Sequence, residues 1–394
     1  VSLAAAPAPA GTLVELGLVF LGLGILARLA GWVAVSPIPL YLLAGLVIGS
    51  GRVPPLRLSE EFITTAAELG VLLLLFALGL EYSGDELSGA LRSQFPAGLL
   101  DAALNFTPGF AAGVALGWSA LSAALLGGVT YISSSGVISK LLTDLGRLGN
   151  RETPSVLGIL VIEDLAMAVY LPVVSVLLLG EDMEDAGLAV LLALGAVVAF
   201  LALALRYGER VSEAFHSRSD EVLLLMTVGV VLLVGGVAIR LQVSAAIGAF
   251  LVGIGLSGPA RDRAAELVEP LRTLFAATFF LFFGLQIDAA DLVPVVGTAA
   301  ALGLVTAVTK VGVGWWAATR EGISTRGRMR AGTALVARGE FSIVIAGLAA
   351  GAAGVDPDLG PTAAAYVLFT AVAGPILTRF ADPLADRLVT RRAA

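Results

Sequence analysis

Two adjacent carboxylates, Glu163 and Asp164, fall near the middle of residues 154–179, an apolar stretch long enough to cross a bilayer. Hydrocarbon offers an ionised acid no water, so such a group persists only when paired or facing an aqueous cavity, and an intramembrane acid marks a site of function. Two further charged features answer them: Lys310, set between apolar runs, and the cluster Arg338–Gly339–Glu340. Acids, a lysine and nearby hydroxyls at half-depth suit ion and proton binding, the chemistry of a membrane transporter.

Of the 394 residues, 58% are hydrophobic and 14% are charged, against about 25% charged in a soluble domain. A chain of this composition could not cover its apolar surface in water, so its setting is the lipid bilayer. Forty-seven Gly and seventeen Pro fit close helix packing and interrupted spans inside lipid. Without Cys there are no disulfides and no thiolate-ligated metals. His216 lies in a polar connection and reads as a surface residue, and residues 1–10 read as a short extramembrane tail without the basic region of a cleavable signal. Gly22-x-Gly24 and the glycines of 248–258 are span material rather than nucleotide fingerprints, because no soluble strand precedes them. The chain is therefore not read as an enzyme, no cofactor is expected, and no nucleic-acid partner is implied.

A helix needs about 20 apolar residues to cross the bilayer core. The chain carries thirteen candidate spans, at 12–30, 36–50, 62–80, 93–116, 119–137, 154–179, 187–206, 221–239, 243–257, 270–286, 292–317, 331–351 and 361–380. With the N-terminus outside, 19 Lys/Arg fall in cytoplasmic connections, only Arg52, Arg57 and Arg240 fall outside, and Lys310 and Arg338 stay within spans. That bias is what the positive-inside rule asks for. The expectation is an all-α, multi-pass protein of the cell membrane, a bacterial inner membrane in kind, with its C-terminus in the cytoplasm. Residues 1–394 read as one transmembrane domain, with no soluble regulatory domain inserted. Any regulatory module is expected as a separate chain or as a part beyond Ala394.

Two spans contain what a simple helix avoids. Residues 127–136, GGVTYISSSG, place three serines between glycines, and residues 332–342, GTALVARGEFS, bracket a glycine with opposite charges. Small and hydroxylated residues weaken helix propensity and offer partners to freed backbone groups. The two breaks lie seven spans apart and so face opposite ways, as two inverted repeats (about 36–179 and 221–380) with crossed discontinuous helices would place them. The plainer reading of the serine run is close helix packing.

Four stretches carry a family resemblance: 67–81 (AELGVLLLLFALGLE), 130–136, 161–164 (VIED) and 336–344 (VARGEFSIV). With them the chain resembles the second large branch of the cation:proton antiporters, which includes glutathione-gated potassium-efflux proteins and bacterial sodium/proton exchangers. The resemblance implies a core of crossed helices moving against an interleaved dimerisation or scaffold subdomain, and a homodimer. It implies that Asp164 binds either a monovalent cation or a proton, and that Lys310 stands at the family's basic position. Glu163 occupies a place where sodium exchangers carry Asp and potassium-efflux members Gln. The potassium-efflux relatives add a cytoplasmic nucleotide-binding regulatory domain.

An exchanger needs a site that either ion can neutralise and that cannot cross bare, and Asp164 suits this. Thr130, Ser133, Ser134 and backbone carbonyls of the broken span are candidate oxygen ligands for the cation. Glu163 points about 100° around the helix from Asp164; its expected partner is Lys310, either as a fixed bridge or as a second titrating pair. Arg338 and Glu340, two residues apart, would stabilise the crossover by serving helix ends, and Glu68 is a secondary candidate. The function expected is secondary antiport of K⁺, ahead of Na⁺, against H⁺. A gated efflux channel and a broken-helix transporter of another solute are the alternatives.

Overall fold

A computed structural model describes residues 10–32, 37–49, 60–80, 84–178, 195, 219–240, 245–256, 258–285 and 287–393. Every regular element among them is helical, in the order α1 (Ala10–Trp32), α2 (Ile38–Gly49), α3 (Glu60–Leu80), α4 (Gly84–Ala115), α5 (Ala120–Tyr131), α6 (Ser135–Asp144) and α7 (Thr153–Leu178). There follow α8 (Asp220–Arg240), α9 (Ala245–Gly255), α10 (Gly258–Leu285), α11 (Ala289–Arg320), α12 (Thr325–Ala334), α13 (Glu340–Ala349), α14 (Leu359–Arg379) and α15 (Ala381–Ala393). Among the described residues, seven helical stretches are long and apolar enough to cross a membrane.

Twelve of the thirteen expected spans coincide with these helices or helix pairs; the span at 187–206, and the connection carrying His216, lie outside the described residues. Spans 119–137 and 331–351 are each broken in two, α5 from α6 at 132–134 and α12 from α13 at 335–339. Helix α10 begins at Gly258 rather than near 270, because Ala, Arg and Glu of its polar first turns are helix formers that extend it beyond the apolar part. Helix α15 was not among the spans, since its sequence ADPLADRLVTRRA is too polar for lipid.

Packing depends on small residues, since lipid gives helices little hydrophobic reason to associate. At the α2–α10 contact a Cβ on Gly45 would run into the Leu281 carbonyl and Gly284, and at the α3–α9 contact one on Gly253 would strike the Phe76 carbonyl and Gly79. A Cβ on Gly314 would stand 2.6 Å from the Cα of Gly332, so α11 and α12 touch backbone to backbone. Leu13, Leu18 and Leu21 on α1, Leu225 and Leu233 on α8, and Val293, Leu304 and Val308 on α11 are exposed, as side chains facing lipid should be. At the end of the molecule holding the 145–152 connection, Arg330 pairs with Asp382 at 2.6 Å and Glu152 at 3.4 Å. Arg147 donates to the Thr378 carbonyl at 2.8 Å. Connections that the charge count assigned to one side of the membrane therefore meet in space.

Candidate functional site

The two chain breaks pass over one another. The amide of Ser134 donates to the carbonyl of Ala337 at 2.9 Å, and the hydroxyl of Ser133 reaches the Leu335 carbonyl at 3.1 Å. Gly339 must lack a side chain here, because a Cβ would come 2.6 Å from the Ser134 hydroxyl. Interrupting a helix frees carbonyls at one end and amides at the other, and two charged residues take them up. The Arg338 guanidinium, fully buried, donates to the Thr130 carbonyl at the end of α5 (3.1 and 3.2 Å) and to the Leu335 and Val336 carbonyls at the end of α12 (2.9 and 3.1 Å). Glu340 accepts from the Ser134 hydroxyl and, at 3.2 Å, from the Gly136 amide at the start of α6. Positive charge thus meets two helix C-termini and negative charge an N-terminus, the favourable sense for both.

Helix α7 presents Glu163 and Asp164 to this crossing. Glu163 accepts from the Ser133 amide at 2.5 Å and from the Ser133 hydroxyl at 3.1 Å, and it meets the Lys310 ammonium at 2.9 Å. Asp164, 1% exposed, accepts from the hydroxyl of Ser135 at 3.1 Å. The candidate ligands divide. Ser133 serves Glu163, Ser134 serves Glu340, and the Thr130 hydroxyl donates to the Asn105 carbonyl at 2.8 Å. Glu68 is exposed on α3 rather than buried with the rest.

Several residues at the crossing escape the sequence reading. Asp101 of α4 holds Lys310 at 2.6 Å, closer than Glu163 does, with both partners wholly buried. Asn105, one turn on, donates to Asp101 at 3.0 Å and accepts from the Thr309 hydroxyl at 2.7 Å. Ser135 is the hydroxyl that faces Asp164, and the Tyr131 ring lies 5.5 Å from the Lys310 ammonium. The signal for Asp101 was present: it is an acid inside span 93–116, and the rule that singled out Asp164 applies to it equally.

Four buried carboxylates (Asp101, Glu163, Asp164, Glu340) thus surround two buried bases, Lys310 and Arg338. Arg272 of α10 reaches the same region beside Gly136 and Glu340, with its side chain 21% exposed. Arg272 is itself paired with Glu269 at 3.1 Å, so the buried acids of the crossing still outnumber its buried bases, four to two. A monovalent cation or a proton offsets part of that excess, so the arrangement can take up either and is costly with neither.

The family model for "sodium/hydrogen exchanger, transmembrane" matches residues 16–381. The chain belongs to the sodium/hydrogen exchanger family. As a member of it the protein is a multi-pass membrane protein and a monovalent cation/proton antiporter, not an enzyme. It is 35% identical over 375 residues to the K(+)/H(+) antiporter subunit KhtU of Bacillus subtilis, covering 93% of this chain and 92% of that one. It is 30% identical over 384 residues to the ammonium/H(+) antiporter subunit AmhT of Alkalihalophilus pseudofirmus, covering 96% and 95%. The sodium proton antiporter MjNhaP1 of Methanocaldococcus jannaschii superposes with a TM-score of 0.70 at 16% identity, over 95% of this chain and 98% of that one. That likeness establishes the sodium/proton antiporter fold.

Proposed function

We propose that this exchanger moves K⁺, in preference to Na⁺, against H⁺ by alternating access, with Asp164 carrying the cation and the proton in turn. The observation that carries the reading is the excess negative charge of the buried set around Asp164. A carrier whose loaded site is neutral crosses hydrocarbon far more cheaply than one with a bare carboxylate. Exchange then follows without a separate gate, because the empty, deprotonated form is the one that cannot change sides. Ser135, with the Ser133 hydroxyl and carbonyls of the broken spans, supplies oxygens for an alkali cation, a hard ion. Thr130, Ser134, Arg338 and Glu340 act by holding the crossing in shape.

The preference for K⁺ rests on the similarity to KhtU, whose name carries K(+)/H(+) antiport. Both KhtU and AmhT are named as subunits, which supports a separate regulatory chain for this protein, docking on the cytoplasmic face. The proposal extends to a homodimer, to inverted repeats at about 36–179 and 221–380 divided between core and scaffold subdomains, and to an external N-terminus with a cytoplasmic C-terminus. The test is antiport in proteoliposomes of the purified protein, followed by dissipation of a pH gradient on adding K⁺, Na⁺, Li⁺ or NH₄⁺, with and without a clamped membrane potential. Dissipation by K⁺ at lower concentration than by Na⁺ is the expected result. Exchange of Na⁺ or Li⁺ alone would overturn the potassium assignment, and ion flow without proton counterflow would favour the channel reading.

A further inference from the structure

We propose that Asp101 is the positioning residue that anchors Lys310, leaving Glu163 able to let go of the lysine and turn to the transported cation. The inference rests on the exchange reading above and adds to it the residue that controls access to the acidic pair.

The two carboxylates that share the ammonium are not equivalent. Asp101 places one oxygen 2.6 Å from Lys310 and the other 3.0 Å from the Asn105 side-chain amide. Asn105 in turn is fixed by its side-chain Oδ1, which accepts from the Thr309 hydroxyl at 2.7 Å. Residues 101 and 105 lie one turn apart on α4, while 309 and 310 are neighbours on α11, so these contacts form two rungs tying α4 to α11. Thr130 of α5 donates to the Asn105 backbone carbonyl, but neither rung uses a side chain of the broken helices. Glu163, by contrast, sits on α7 and spends both oxygens on Ser133 of the break as well as on Lys310, at the longer 2.9 Å.

A lysine held only by Glu163 would compete with every incoming cation for that carboxylate. Held by Asp101, the ammonium keeps a buried counter-charge when Glu163 turns away, and no lone charge is left in the low-dielectric interior. Asp101 therefore acts through Lys310 and touches no transported ion.

The test is cation-driven exchange in proteoliposomes, with the apparent KM for the cation and the maximal rate measured for wild type, Asp101→Asn, Asp101→Glu and Asn105→Ala. Asp101→Asn forces Lys310 wholly onto Glu163, and its KM should rise about tenfold or more, the effect of one charged hydrogen bond redistributed in a buried site. Asp101→Glu should bring KM back toward wild type, and Asn105→Ala, which only loosens the anchor, should raise it less. Should Asp101→Asn prove too unstable to purify, the last two variants still decide the matter. An unchanged KM in Asn105→Ala, or rate losses at constant KM that Asp101→Glu fails to repair, would overturn the proposal. Failure of the wild-type protein to exchange any cation would instead count against the exchange reading.

Discussion

At Lys310 one cation serves two buried acids, so removing the lysine and removing one acid are different perturbations. Lys310→Ala leaves Asp101 and Glu163 facing each other without a base, and breaking a buried pair this way costs about 3–5 kcal/mol. Glu163→Gln leaves the 2.6 Å Asp101–Lys310 bond intact. The apparent melting temperature in detergent should therefore fall much further for Lys310→Ala than for Glu163→Gln; equal falls would mean the lysine is not shared in this way. Arg338 invites a similar contrast. Its guanidinium spans three carbonyls on two helix ends, a reach that one ammonium cannot copy. Arg338→Lys should thus melt at lower temperature and exchange poorly despite keeping its charge, and a wild-type melting curve would argue that charge alone suffices.

At the level of elements, close helix contact is the exposed weakness. Gly45 and Gly284 let α2 and α10 meet backbone to backbone, so Gly284→Val should prevent a monodisperse protein in size-exclusion chromatography. A substitution at Gly236, where a Cβ meets nothing within 4 Å, should be tolerated. Normal behaviour of both variants would show that the two helices can part without cost. The Arg330–Asp382 pair ties α12 to α15, and its hydrogen bonds hold the Asp382 carboxyl below the ordinary carboxylate range. A depressed value in the folded state means the pair contributes fully above the unfolded value of about 3.9. That contribution is lost only as pH falls through the lower, folded value. The melting-temperature difference between wild type and Asp382→Asn should hence be constant from pH 6 to 8, and small, because the pair is partly exposed and screened by salt. A difference that changes across that window would mean another group titrates there.

The helices were readable from apolar run length, and the breaks from residues that run length does not tolerate, the serine triplet and Arg338–Gly339–Glu340. Partners across the breaks were not readable. Ser134 turns to Glu340 and Ser135 to Asp164, a division set by how one chain crosses another and not by spacing within either. Asp101, a single acid in a span, stands out less in the sequence than two acids in succession. Its meaning appears only when α4 is laid beside α11. The early start of α10 was hidden because its first turns are polar, and hydropathy registers lipid contact rather than helicity.

Over the whole molecule, lipid-facing leucines and valines on α1, α8 and α11 surround a polar crossing that holds nearly all the buried charge. The proposed exchange sets one requirement on this crossing, that the Asp164 carboxylate be neutralised before the core changes sides. The most direct test is exchange by Asp164→Asn in proteoliposomes beside the wild type, with detergent melting curves to establish that both are folded. Asn is isosteric and permanently neutral, so the variant should be folded and should move neither proton nor cation in exchange. Coupled exchange at the wild-type rate by Asp164→Asn would contradict the account outright.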